Sequence, residues 1–191
     1  SYKFDGPLDL RLNPQAGISA AERLKEVDRE ELAGMLVENS DEPYAEEIAR
    51  CITGAIRRGE KVDTTTKVRE LIEEALSFIP EKERKEAVKK ACARTFQALR
   101  IDVNSEFEVL YAFLDKLPHV LAPGGRVAVL TFHSGEDRMV KKSFQYYARE
   151  GIYSDIAKDV IRPSAKECAS NPRARSTKFR WAVRSDVQKY E

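Results

Sequence analysis

Residues 124–138 read Gly124-Gly-Arg-Val-Ala-Val-Leu-Thr-Phe-His-Ser-Gly-Glu-Asp-Arg138, and the change of character inside them sets the fold class. Arg126–Phe132 is short, apolar and β-branched, the composition of a buried strand in a parallel sheet. Upstream, Asn104-Ser-Glu opens a helix with Phe107, Leu110, Tyr111, Leu114 and Leu117 at spacings of three and four, closing at Leu117-Pro118. Downstream, His133–Asp137 forms the loop at the strand's C-terminal end and leads into a helix through Val140, Phe144 and Tyr147. A weak strand over 156–161 follows, then a short helix opened by the capping box Ser164-Ala-Lys-Glu167. Last, Thr177, Phe179, Trp181 and Val183 alternate with Lys178, Arg180 and Arg184, which predicts a half-buried strand. This order is the later half of a doubly wound α/β sheet. Ligands of such sheets sit beyond the C-terminal strand ends, here at residues 133–137.

Working back toward the N-terminus, the period is helical for about ninety residues. Ser19-Ala-Ala-Glu22 is a capping box, and Asp28-Arg-Glu-Glu31 starts a second helix carrying Leu32, Met35 and Leu36. Asp41, with Pro43 in the first turn, predicts a third helix whose stripe is Tyr44, Ile48, Cys51, Ile52 and Ile56. Thr65 or Thr66 caps a fourth, stopped by Pro80, and a charged helix covers 81–90. These stripes read as the core of a helical bundle. The expected layout is therefore a segment of the α/β core over 1–13, a helical insertion over 14–101, and the later part of the core over 102–191.

The 191 residues allow one ordinary domain, or a small one plus an insertion. No apolar stretch approaches the roughly 20 residues of a membrane span, and Ser1-Tyr-Lys-Phe-Asp5 has no targeting character. Cys51, Cys92 and Cys168 stand singly, which excludes a disulfide scaffold or zinc knuckle and suits a reducing, cytoplasmic setting. Cys92 and Cys168 read as small packing residues. From Ser134 onward there are 13 Lys/Arg against 8 Asp/Glu, while the earlier part is net acidic. Arg173, Arg175, Lys178, Arg180 and Arg184 meet no acid between them. Such a patch can attract a polyanion, or can simply be a solvated strand edge.

Four stretches together resemble one family, the RsmH/MraW methyltransferases acting on a cytidine of bacterial small-subunit rRNA. Phe4-Asp-Gly-Pro-Leu-Asp-Leu-Arg-Leu12 is similar to the family's F-x-G-P-L-D-M-R-M segment. Arg94-Thr-Phe-Gln-Ala-Leu-Arg-Ile101 with Asn104 is similar to R-T-F-Q-A-L-R-I-x-V-N. Residues 124–138 are similar to G-G-R-L-A-V-I-S-F-H-S-L-E-D-R, and Asn171-Pro-Arg-Ala-Arg-Ser176 to N-P-R-A-R-S. Two departures mark a divergent branch: Lys90-Ala-Cys-Ala93 replaces the usual residues before Arg94, and Gly135 stands where leucine is usual. The family's glycine-rich nucleotide loop has no counterpart, since no G-x-G occurs. The resemblance thus implies the C-terminal part of a Rossmann-like methyltransferase with a helical insertion, inactive and without useful affinity for S-adenosylmethionine on its own.

Methyl transfer to an exocyclic amine needs an acceptor that holds the amine in line, on a base taken out of its stack. By resemblance, His133 and Ser134 are the candidate catalytic residues. The candidates for RNA contact are Asp9, Arg11, Arg94, Gln97, Arg100, Asn104, Arg138, Arg173 and Arg175. Each has a plainer reading: Ser134 as a helix cap, Glu136 and Asp137 as acids at a helix N-terminus, Asp9–Arg11 as an exposed ion pair, and the helical face of Arg94, Gln97, Arg100 and Asn104 as solvated. His133 with Glu136 could pair on a metal, but no third ligand has suggestive spacing, so no metal is expected. The competing functions are a non-catalytic RNA- or ribosome-binding module and a helical partner-binding protein.

Overall fold

The computed structural model describes residues 3–186, so the outer limits of the first and last expected segments lie outside the described residues. The chain forms two compact units, Ser1–Glu106 and Phe107–Glu191.

The first unit is helical: α1 (Ala20–Glu26), α2 (Arg29–Ser40), α3 (Ala45–Arg57), α4 (Thr65–Ala75) and α5 (Glu81–Val103). Its core contains the expected stripe residues Leu32, Leu36 and Ile48, joined by Leu24, Ile72 and Leu99, all fully buried. The Ser19 capping box forms with both of its hydrogen bonds. Three boundaries differ from expectation. Asp41 does not open α3; it closes α2 in the left-handed conformation at φ 52°, and α3 starts only after Pro43. Thr64, one residue earlier than expected, caps α4 by accepting from the Lys67 amide. The 81–90 helix runs on unbroken to Val103, because Val88, Ala91, Cys92, Thr95, Phe96 and Leu99 continue one buried face. The segment 4–12 lies on this bundle. The Leu8 amide donates to Asp63 O, the Thr65 amide donates to Gly6 O, and the Leu8 side chain is buried.

The second unit contains α6 (Glu106–Val120), β1 (Arg126–Thr131), α7 (Ser134–Arg149), β2 (Tyr153–Ile156), α8 (Ala165–Ser170), a 3-10 turn (Pro172–Ser176) and β3 (Lys178–Arg184). The sheet order is β1-β3-β2, and both pairings are antiparallel. The parallel neighbour expected for β1 is therefore not among the described strands. Instead, β3 returns between β1 and β2, with Thr131 opposite Lys178 and Arg126 opposite Val183. The expected strand at 156–161 is displaced: β2 ends at Ile156, and Ile161 keeps a single bridge to Phe179. β1 is buried on one side only, with Val127 and Val129 against the core and Leu130 56% exposed.

The faces of β3 are the reverse of the alternation rule. Arg180, Ala182 and Arg184 are the buried members, whereas Phe179, Trp181 and Val183 are half-buried on the other face. Specific partners make this possible, since a buried charge is tolerated where an opposite charge or several hydrogen-bond acceptors meet it. Arg180 Nε lies 2.7 Å from Asp137 Oδ1, and Arg184 donates to the carbonyls of Pro118 and Ile152. α6 also runs through Pro118 to Val120 and does not stop there.

Candidate functional site

In the second unit the candidate site is the turn from β1 into α7. His133, not Ser134, is the N-cap: its backbone is extended and its Nδ1 accepts from the Glu136 amide at 3.4 Å. Ser134 is the first residue of the helix and is exposed. An accepting Nδ1 leaves the proton of a neutral imidazole on Nε2. Nε2 sits 3.3 Å from a Glu136 carboxylate oxygen, off the line of a good hydrogen bond, with the His133 side chain only 12% exposed. Glu136 also accepts from the Phe132 amide, so it braces both sides of the turn. Asp137 is tied to Arg180 in a bidentate pair, which fastens the start of α7 to β3. Of the loop's polar groups, the Ser134 hydroxyl is thus the one presented outward.

Phe107, which its spacing assigns only to a helix stripe, belongs to this site. Its ring lies 5.8 Å from the His133 imidazole, tilted by 47°. A Cβ on Gly135 would come within 2.9 Å of Phe107 Cζ and 3.3 Å of His133 Nδ1. The glycine that departs from the family pattern is therefore the residue that leaves room for this ring. That departure was the signal available in the sequence.

The basic residues divide. Arg180 and Arg184 are inside, as described, while Arg173 and Arg175 are exposed on the 3-10 turn that leads into β3. Because β3 is antiparallel to β1, its start lies beside the end of β1, the end that carries His133. The Arg175 carbonyl accepts from Arg162, and Asn171 caps the turn by accepting from the Arg173 amide. Arg138 is exposed on the first turns of α7.

In the first unit, Asp9 and Arg11 form a bidentate pair at 2.7 and 2.9 Å. The Arg11 guanidinium holds the Asp9 carboxyl below its ordinary value, and Asp9 in turn raises Arg11. Between them Leu10 stands at φ +65°, a strained conformation for a branched side chain. Asn104 holds it there: its Nδ2 donates to Leu10 O at 2.9 Å and its Oδ1 accepts from the Leu12 amide at 2.8 Å. A cavity of about 630 Å³ opens beside this segment, lined by Phe4, Gly6, Leu10, Phe96, Gln97 and Arg100. Gln97 and Arg100 thus meet as the helical spacing implied. Arg94 does not join them; it pairs with Glu42, whose side chain is fully buried, at 2.8 Å. Cys92 is a packing residue, its thiol pushed up to about 11 by burial.

Residues 1–185 match the model of the MraW methylase family. The chain is 69% identical over 185 residues to a protein of Lachnoclostridium phytofermentans called ribosomal RNA small subunit methyltransferase H 1, covering 97% of this chain and 50% of that protein. A protein of the same name from Agathobacter rectalis is 67% identical, with 97% and 53% covered. The ribosomal RNA small subunit methyltransferase H of Thioalkalivibrio sulfidiphilus is 40% identical, with 96% and 61% covered. The chain spans about half the length of the first two relatives. With the match extending over residues 1–185, this chain belongs to the MraW methylase family.

Proposed function

We propose that the chain is part of an rRNA methyltransferase that transfers a methyl group from S-adenosylmethionine to N4 of a cytidine in small-subunit rRNA, in the cytoplasm. The observation that carries this reading is the β1–α7 turn, an outward hydroxyl at a strand end in a chain of the MraW methylase family. Ser134 Oγ is the group that accepts a hydrogen bond from the cytosine amine, and His133 is a positioning residue that fixes the turn. Gln97 and Arg100 contribute an amide and a guanidinium to a cavity large enough for a nucleoside, and Asn104 holds Leu10 of its wall, in the segment braced by Asp9 and Arg11. Arg94 acts from behind by holding Glu42. Arg138, Arg173 and Arg175 supply phosphate contacts, which give affinity without sequence choice.

At the N-terminus of α7 the Glu136 amide is taken by the His133 side chain, and no G-x-G loop occurs in the sequence. On that ground the isolated chain is expected to show no S-adenosylmethionine heat signal in calorimetry at micromolar concentrations. No helix of the described residues is long and apolar enough to cross a membrane. The test is a polypeptide carrying this chain at the full length of its relatives, incubated with small ribosomal subunits and labelled S-adenosylmethionine. Nuclease digestion and mass spectrometry should show N4-methylcytidine. A methyl group on carbon 5, or none, would refute the reading.

A further inference from the structure

The second unit has a groove that the methyl-transfer site does not use. It lies between α6 and α7, encloses about 450 Å³, and is lined by Tyr111, Leu114, Asp115, Lys142, Ser143 and Tyr146 among others. Tyr111 and Tyr146 are 67% and 47% exposed, on a helix pair where Val109 and Phe113 of α6 are exposed as well. The floor is rigid. Buried Tyr147 donates its hydroxyl to Asp115 at 3.1 Å and stands edge-on to Tyr146, with ring centres 5.0 Å apart. Ser143 Oγ is buried beneath the groove with no hydrogen-bond partner among the described residues.

Charge says what kind of ligand this is. Beyond its first turn, where Glu136 accepts from the Phe132 amide and Asp137 pairs with Arg180, α7 carries Arg138, Lys141, Lys142 and Arg149 and no further acid. Asp115, the acid in the groove lining, is engaged by the Tyr147 hydroxyl. Arg138, Lys142 and Tyr146 are four residues apart and so share one face of the helix. That face leads from the His133 turn straight to the groove, about 12 Å to Lys142 and about 18 Å to Tyr146 at the rise of an α-helix. Open aromatic faces next to a row of cations are the pattern of single-stranded nucleic-acid binding: rings stack the bases while cations track the phosphates. A pocket of this size takes one nucleobase and its sugar.

We propose that the Tyr111–Tyr146 groove is a stacking subsite for an unpaired nucleotide of the RNA, near the target nucleotide in sequence, with Lys142 on its phosphate. This rests on the reading of the chain as part of an RNA methyltransferase and adds a second point of grip to it. A second stacked base fixes the strand's direction across the turn, which phosphate contacts alone do not do.

The test uses this chain with a short fluorescein-labelled oligouridine and with heparin, a polyanion without bases. Tyr111→Ala with Tyr146→Ala should weaken oligouridine binding roughly tenfold and leave heparin affinity unchanged. Tyr111→Phe with Tyr146→Phe, which keeps the rings, should retain both. Lys142→Gln should lower the salt slope by about one phosphate contact. Arg173→Ala with Arg175→Ala, run alongside, reports on the phosphate contacts of the 3-10 turn and hence on the parent reading. Loss of binding there with none in the tyrosine pair overturns the subsite and leaves the parent reading standing. Absence of oligouridine binding by the unaltered chain overturns the subsite. So does a self-associated chain that the tyrosine pair turns monomeric in sedimentation with RNA affinity unchanged, which would make the groove a contact between copies.

Discussion

Replacing Arg94 by methionine separates a structural arginine from an RNA-binding one. The Glu42 side chain is fully buried, and its ties are Arg94 Nε at 2.8 Å, Arg94 Nη2 at 3.3 Å and the Tyr44 amide at 3.1 Å. Methionine keeps most of the arginine stem's packing and removes its charge, leaving a buried carboxylate with one amide. Breaking a buried pair from one side costs about 3–5 kcal/mol; Arg94 is 29% exposed, so water softens the loss and about 3 kcal/mol is expected. At this chain length that is a fall in Tm of about 6–12 °C. With a urea slope of about 2 kcal/mol per molar, the midpoint falls by about 1.5 M. Glu42→Gln added to Arg94→Met should recover part of the loss, because the neutral amide no longer needs the guanidinium. Urea titration followed by circular dichroism measures all three variants, and oligonucleotide binding is read on the folded proteins. An Arg94→Met chain that unfolds at the original midpoint but binds RNA several-fold more weakly would refute the argument and return Arg94 to the RNA surface.

Arg180→Met leaves Asp137, only 15% exposed, without its bidentate partner, and should cost about 3–5 kcal/mol, read as a lower urea midpoint; Arg180→Met with Asp137→Leu should recover most of it. Gly135→Leu, which restores the residue usual in the family, puts its Cβ against Phe107 and should cost about 1–3 kcal/mol, while Phe107→Ala in the same chain should relieve it. Asp9 has a folded pKa below its unfolded value, so its stabilisation is complete above the unfolded value and is lost as pH falls through the folded one. Urea midpoints below about pH 4 should therefore drop more steeply for the unaltered chain than for Asp9→Asn.

The bundle was legible because its signals are local. A capping box and a stripe at spacings of three and four act within one or two turns, and Ser19, Leu32 and Ile48 stand where those rules put them. Helix ends were less legible: Asp41 carries the chemistry of an N-cap, yet it adopts the left-handed conformation that ends α2. The sheet was misread where its logic is non-local. Alternation in β3 marks two faces, but which face is inside depends on Asp137 and Pro118, 43 and 66 residues away. In the same way His133 displaced Ser134 as the cap, since imidazole Nδ1 accepts as well as a hydroxyl does. Arg94 shares a helix face with Gln97 and Arg100 by spacing, and only the α2–α3 connection brings Glu42 to it.

The inverted faces of β3 also give the molecule a built-in optical probe. Trp181 is the chain's single tryptophan, and it sits half-buried on the outward side of the sheet, opposite Ala128. Its emission therefore reports on the second unit alone, whereas far-ultraviolet ellipticity is dominated by the five helices of the first. Following one urea titration by both signals tells whether the units melt together: superimposed curves mean one cooperative transition, and separated curves mean two.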